Sequence, residues 1–386
     1  MRGLCVCYEG TEDIVAQEIK EILGVSVVPA DMRRGAVIFP ITKREQLFAL
    51  AYRGQSFSQV IELLGEGVQS ESLDVDALRR FDFSPLAGKR FRATCVRIGE
   101  HDFCSRDLED ELGGIVLEKV SASVDLHTPE IILFAYVYHD HFYLGFDYNG
   151  LDLSKREYNV YHNTHSIKGP LAYTLLKIAH YGAGKVLVDP FCLSGTIPIE
   201  AAFFASGFSI TYFRKNKFIF VRAALVDEFF FRDLDTEIPS DFLKIYGFDF
   251  NFPNVTAAKH NAKLGGVEKV LDFRRGDTRW IDLKFDDATV DCIVTAPPRP
   301  TGRTRVAMQK KMDELFQNAR EVLKKDGLLV IIENGLASIL AEKYGFVLRA
   351  QRTIHKGKMQ VQILSYGLAA IGATAASAAS SAKKKP

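Results

Sequence analysis

Several features that mark extracellular or zinc-stabilised proteins are missing from this 386-residue chain. None of its six cysteines, Cys5, Cys7, Cys95, Cys104, Cys192 and Cys292, forms a CxxC pair, and none has a histidine at zinc-finger spacing. Buried, reduced thiols are therefore expected instead of a disulfide framework or a structural zinc. His139 and His141 are close neighbours but lack a third ligand, so no metal is expected. The N-terminus lacks the charged, apolar, small-residue order of a secretion signal, and no apolar run is long enough to span a bilayer. A cytoplasmic protein with no membrane partner follows. An excess of charge of one sign is missing too: 49 Lys and Arg face 48 Asp and Glu, a formal net charge of +1. Any nucleic-acid partner must then be held by local basic patches and not by the field of the whole protein. There is no G-x-G-x-x-G to seat a pyrophosphate, which argues against a dinucleotide enzyme.

What is present describes an ordinary globular chain, 47% hydrophobic and 25% charged, long enough for two or more domains. LCVCY (4–8) reads as a strand, and Thr11 caps a helix that carries Ile14, Val15, Ile19, Ile22 and Leu23 on one face. The β runs VSVVP and GAVIFP and a helix from about Arg44 complete an α+β module over residues 1–64. RFRATCVRIG, SASVDLHTP, EIILFAYVY and HFYLGFDY read as strands around a helix over Ser105 to Val120, a second α+β module over 65–150. Residues 151–170 are polar and read as a linker.

From Lys185 onward short β runs alternate with helical stretches, the pattern of a mostly parallel, doubly wound sheet over 171–367. Its last two runs, FVLRAQR and MQVQILSYG, read as an antiparallel hairpin on the sheet edge. Residues 368–386 are Ala/Ser-rich, end in three lysines and read as a disordered tail. In such sheets ligands sit beyond the carboxyl ends of the strands. Asp189, Asp249 and Asp277 stand at three successive strand ends, the first followed by a turn through Gly195 and Thr196, the last by Thr278. Asp189 suits a cationic amino group, Asp249 a pair of ribose hydroxyls, and Asp277 an adenine amine. Turn formation or capping explains any one of these acids alone. Together they fit an adenosyl ligand without phosphates.

DPFCLSGTIPIEAA, with IYGFDF, RRGDT and the proline pair of DCIVTAPP, resembles the methyltransferase domain of THUMP-containing tRNA guanine-N2 methyltransferases. LDLSKREYNVYHNTHSIKGPLAYTLL is similar to that family's stretch between its THUMP and methyltransferase domains, and the front half resembles a ferredoxin-like domain followed by THUMP. The resemblance implies a Rossmann-like class I methyltransferase domain, S-adenosyl-L-methionine as cofactor and tRNA as partner. It places Asp189, Gly195 and Thr196 at the methionine end, Asp249 at the ribose, and Asp277 with Thr278 at the adenine. A monomer is the simplest expectation.

Two departures stand out. The family's glycine is replaced by Leu193, and its catalytic tetrapeptide, Asp or Asn, two prolines, then an aromatic, reads Ala296-Pro297-Pro298-Arg299. Of the groups that hold the target amine and base in the family, only the backbone acceptor remains. Arg299 either stacks on an extruded base or contacts phosphate. Lys89, Arg90, Arg92 and Arg97 form one candidate RNA-binding cluster, and Arg303 and Arg305, flanking the tetrapeptide, form a second candidate RNA-binding edge. The expected function is methylation of a guanine N2 in tRNA. The alternatives are a noncatalytic RNA-binding relative and methylation of another amino group in ribosomal RNA or DNA.

Overall fold

A computed structural model of the chain describes residues 1–68, 74–239, 241–276, 278, 281–357 and 359–369. Asp277 and the tail beyond residue 369 lie outside the described residues. The chain forms two compact units. The first comprises Met1–Lys155, Phe208–Thr236 and His355–Met359; the second comprises Arg156–Gly207, Glu237–Ile354 and the chain from Gln360.

In the first unit, β1 (Arg2–Val6), β2 (Met32–Arg33), β3 (Ala36–Pro40), β4 (Gln59–Val68), β5 (Arg90–Ile98), β6 (Ser123–Val124), β7 (Ile131–Tyr138) and β8 (His141–Asp147) make one sheet. Its order is β2-β3-β1-β4-β8-β7-β5-β6. The boundary expected near Leu64 falls inside β4, which pairs with β1 on one side and β8 on the other. Both α+β modules thus share a sheet, because pairing β4 with β8 removes the exposed edge that each module alone presents. Helices α1 (Glu12–Leu23), α2 (Glu45–Arg53), α3 (Val75–Leu78) and α4 (Ser105–Lys119) accompany it.

Three local expectations fail for local reasons. VSVVP is not a strand: Val28 is 55% exposed and Pro29, without an N–H, opens a 3₁₀ turn. Only Ser123–Val124 of SASVDLHTP joins a ladder, since the Asp125 carboxylate accepts from the His127 and Thr128 amides, each at 2.9 Å, and turns the chain. Thr11 occupies the cap position of α1, but its hydroxyl donates to the Tyr8 carbonyl at 2.8 Å. The Glu12 carboxylate instead receives the Gly10 and Gly35 amides.

The second unit begins with α5 (Gly169–Ile178), β9 (Leu187–Asp189) and α6 (Thr196–Ser206). The chain then leaves it: Phe208–Thr236, with α7 (Ile219–Arg222), belongs to the first unit, although a linear reading assigns it to the methyltransferase domain. The cause is aromatic burial. Phe218 and Phe220 are fully buried, and the Phe220 ring stacks on Phe48 at 4.4 Å between centroids. Each such ring contributes roughly 1.5–3 kcal/mol. The sheet resumes with β10 (Ile245–Asp249), α8 (Phe252–Leu264), β11 (Leu271–Arg275), α9 (Ile281–Lys284), β12 (Val290–Thr295), α10 (Arg305–Val322), β13 (Leu323–Ile332), α11 (Ala337–Lys343), β14 (Phe346–Lys356) and β15 (Met359–Leu368). Its order is β11-β10-β9-β12-β13-β15-β14, parallel as far as β13, with β15 antiparallel to β13. The expected α/β class and the terminal hairpin are both found. Strand order reverses between β9 and its neighbours β10 and β12, and in open α/β sheets the crevice beyond the carboxyl ends at such a switch point is where ligands bind. Among the described residues no helix is long and apolar enough to cross a membrane.

Candidate active site

Asp189 ends β9 and is 1% exposed. Its Oδ1 accepts from the Phe191 amide at 3.2 Å and from the Thr295 hydroxyl at 2.7 Å. Burial pushes the carboxyl up to about 7, against the lowering effect of those two donors. Thr295 ends β12 and immediately precedes Ala296, so one hydrogen bond ties Asp189 to the start of the Ala296-Pro297-Pro298-Arg299 run.

Beyond Asp189 the chain turns sharply into α6. The Cys192 amide donates to the Phe248 carbonyl at 2.9 Å, the Leu193 amide to Asp249 Oδ2 at 3.2 Å, and the Gly195 amide to the Cys192 carbonyl at 2.7 Å. Gly195 has φ +85°, and a Cβ there would lie 2.8 Å from the Phe273 ring and 2.9 Å from Ala258 Cβ. Glycine is therefore required on two grounds. Thr196, first residue of α6, is 4% exposed and its buried hydroxyl has no hydrogen-bond partner. An orphaned hydroxyl beside the unsatisfied amides of a helix start fits the carboxylate of a bound amino acid group.

Leu193 adopts φ +49°, a region that costs a non-glycine residue about 1–2 kcal/mol. Its side chain is 6% exposed, and burial of a leucine is worth roughly 1.5–3 kcal/mol, so packing outweighs strain. Leu193→Ala loses the packing and keeps the strain, whereas Leu193→Gly loses both. Urea unfolding should find the glycine variant more stable than the alanine variant by about 1 kcal/mol, the reverse of the order at an ordinary position. Equal stabilities would remove the strain at this residue.

Asp249 ends β10 and is 1% exposed. Oδ1 accepts from the Asn251 amide at 2.8 Å and from Asn254 Nδ2 at 3.1 Å, while Oδ2 takes the Leu193 amide. Burial raises its pKa, opposed by these donors and by Lys311. A carboxylate has about four acceptor positions, so room remains for a hydroxyl. Thr278 is buried, with its hydroxyl donating to Glu314 at 3.0 Å and its carbonyl accepting from Asn318 at 2.7 Å. It is held against α10. Of the tetrapeptide, Ala296 and Pro297 are buried, Pro298 is half-buried and Arg299 is exposed, as are Arg303 and Arg305 at the start of α10.

The support behind α6 is not legible in the local sequence pattern. Arg156 and Tyr158 of the expected linker donate to Glu200 of α6: Arg156 Nε at 2.7 Å, its Nη2 at 3.1 Å, and the Tyr158 hydroxyl at 2.7 Å. Arg156 and Glu200 side chains are 3% and 0% exposed. Removing either partner leaves a buried charge and costs about 3–5 kcal/mol.

The basic cluster of β5 is not one patch, which corrects the expectation for Lys89, Arg90, Arg92 and Arg97. Lys89 is exposed, but Arg90 is paired with Asp125 at 3.2 Å and Glu130 at 3.4 Å. Arg92 and Arg97 stand an odd number of residues apart on a strand and so occupy opposite faces. Arg97 bonds His101 at 3.1 Å and lies over Phe103. Arg92 lines a cavity of about 460 Å³ with Tyr136, Asp147, Lys155 and His355, all within the first unit. Its Nε and the Tyr136 hydroxyl are buried without partners. Asp147, raised by burial to about 6, is the one fully buried acid there. The two-residue period of β5 was the signal available in sequence for separating Arg92 from Arg97.

A doubly wound sheet with a reversed terminal hairpin, buried acids at two adjoining strand ends and a glycine turn between them defines the Rossmann-like methyltransferase class. Residues 156–360 match the RMKL-like methyltransferase domain family, and residues 75–147 match the THUMP domain. The chain belongs to the RMKL-like methyltransferase domain family. It is 28% identical to a tRNA (guanine(6)-N2)-methyltransferase of Archaeoglobus fulgidus over 92% of this chain and 90% of that one. Identity to the protein of the same description in Methanocaldococcus jannaschii is 31% over 61% of this chain and 64% of the relative. In fold it is similar to SMU.472, solved in complex with SAH, with a TM-score of 0.76 at 20% identity over 96% of this chain and 98% of that one.

Proposed function

We propose that this protein methylates the exocyclic N2 of a guanine in tRNA, using S-adenosyl-L-methionine. The observation that carries the reading is the pairing of two buried carboxyls, Asp189 and Asp249, around a glycine turn that ends in the orphaned Thr196 hydroxyl. Similarity to the archaeal tRNA guanine-N2 methyltransferases supports the target. When bound, the cofactor supplies an electrophilic methyl group. Asp189 then accepts from the amino group of its methionine end, Gly195 and Thr196 seat the carboxylate, and Asp249 accepts from the ribose. The family resemblance assigns the adenine to Asp277, which lies outside the described residues, and to Thr278. The backbone carbonyl near Pro297 would accept a hydrogen bond from the target amine and turn its lone pair toward the methyl group, the amine proton passing to water on transfer, while Arg299 stacks on the base. Ala296 adds no acceptor. The domain division of 1–64, 65–150, 151–170 and 171–367 is retained as a functional one, with tRNA held mainly by residues 1–150.

The test is purified protein with unmodified tRNA and S-adenosyl-L-methionine, followed by mass spectrometry of the nucleosides. N2-methylguanosine is the expected product. If no tRNA gains a methyl group while SAH and tRNA both bind, the second reading replaces the first: a noncatalytic RNA-binding relative, which Ala296 and Arg299 specifically favour.

Because net charge is only +1, tRNA affinity should come from local contacts and fall about tenfold or more between 50 and 200 mM salt. Arg92→Ala and Lys155→Ala should each lower the slope of log affinity against log salt by about one. Filter binding across a salt series checks it. Slopes unchanged in both variants would move the RNA away from that cavity.

A further inference from the structure

The segment 161–166, part of the expected ordered connector, is bonded both toward Asp249 at the end of β10 and to the turn that follows β9. Asn163 Nδ2 donates to Asn254 Oδ1 at 3.1 Å, and Asn254 Nδ2 donates to Asp249 Oδ1 at 3.1 Å. The hydroxyls of Ser166 and Ser194 are hydrogen-bonded at 2.6 Å, next to Leu193 in the turn. Asn261 of α8, fully buried, closes the circuit. It accepts from the Tyr161 amide at 3.0 Å and donates to the Tyr161 carbonyl at 2.9 Å and to the Ser194 carbonyl at 3.0 Å. The Asn163 side chain also shapes its own segment, with Oδ1 accepting from the His165 amide at 2.9 Å. Asn163 and Ser166 are half-buried, while His162, Thr164, His165 and Lys168 are exposed, so the segment has a bonded side and a free side.

We propose that residues 161–166 are a strap that holds Asp249 and the Cys192–Gly195 turn in the spacing that an adenosyl ligand needs, with Asn163 and Ser166 as positioning residues. The inference rests on the reading that this crevice binds S-adenosyl-L-methionine. Two observations call for such a device. Leu193 sits at φ +49°, a conformation that persists only where its surroundings over-determine it, and it is fixed by Asp249 on one side and by the strap through Ser194 on the other. Asp249 takes a buried position in which one of its three donors, Asn254, is itself oriented by Asn163. Without Asn163 the Asn254 amide is free to rotate, and the acid that meets the ribose loses a defined direction. Neither Asn163 nor Ser166 is assigned a contact with the cofactor, so their effect passes through Asn254 and Ser194.

The experiment is calorimetric titration of SAH into the full chain, at a temperature where every variant is shown to be folded. Asn163→Ala should bind SAH about five- to tenfold more weakly than wild type, as loss of one orienting hydrogen bond implies. Asn163→Asp is isosteric and keeps the turn to His165, but it sets an acceptor against Asn254. It should bind more weakly still, because Asn254 must turn its donor away from Asp249. Ser166→Ala should weaken SAH through the turn. In an Asn254→Ala background Asn163→Ala should have no further effect, since the path to Asp249 is already cut. tRNA affinity should be unchanged throughout. SAH affinities within twofold of wild type for both Asn163 variants would overturn the strap while leaving the cofactor site intact. An Asn163→Ala effect that persists undiminished without Asn254 would do the same. Wild-type protein that binds no SAH would overturn the cofactor reading and the strap with it.

Discussion

SAH affinity is expected to fall about tenfold for each pH unit below about 7, and Asp189→Asn is expected to abolish that slope while weakening binding at pH 8. Asp189 is 1% exposed, and burial raises its carboxyl to about 7 in the free protein. An amino group at the methionine end is cationic throughout this range and needs the ionised carboxylate. Below pH 7 that carboxylate must first lose a proton, which subtracts about 1.4 kcal/mol from binding per pH unit. Stability of the free protein runs the other way. A folded-state pKa above the unfolded value near 3.8 means that between about pH 4 and 7 the native chain keeps a proton that the unfolded chain has released. The Asp189 contribution therefore weakens as pH rises through this window and is constant above it. Calorimetry from pH 5.5 to 8.5 reads the first effect, and thermal melts without ligand read the second. An affinity flat across this range would place the amino group against something other than Asp189.

Ala296→Asn is expected to raise the rate of N2 methylation at saturating cofactor by tenfold or more. Thr295 anchors the end of β12 to Asp189, so the backbone at Ala296 is held independently of its side chain. An amide oxygen added there is a second acceptor beside the backbone carbonyl near Pro297. A preorganised acceptor aimed at the reacting amine is worth on the order of 1–3 kcal/mol of transition-state stabilisation. Ala296 is 7% exposed, which makes the added volume small but not free, and a modest drop in melting temperature is the accompanying expectation. Arg299→Tyr on top of this change should add little, because Arg299 already stacks on the base. Should wild type turn over well and Ala296→Asn slow it, this loop presents the amine in a geometry of its own.

Much of the site was readable along the chain because its signals are local. A β run ending in Asp, a glycine turn and a helix start lie within eight residues from Asp189 to Thr196, and strand period with turn chemistry is enough to place them. Asp249 and the alternation of β and α elements that ends in an antiparallel hairpin are legible for the same reason. VSVVP is not legible in the same way, because its β-branched composition meets a proline-led turn, and the β5 arginines, close in sequence, stand on opposite faces of a strand.

The sequence by itself determined the alternation of β and α elements in the second unit, the acids that end β9 and β10 and the Ala296-Pro297-Pro298-Arg299 run after β12, because each depends on neighbours a few residues away. Only the tertiary structure decided that β4 joins two modules into one sheet, that Phe208–Thr236 leaves the methyltransferase unit, and that Asn163 reaches Asp249 through Asn254. Those contacts span tens of residues and exist only after aromatic burial and strand pairing have brought distant segments together. No local period or propensity encodes which partner each of them meets.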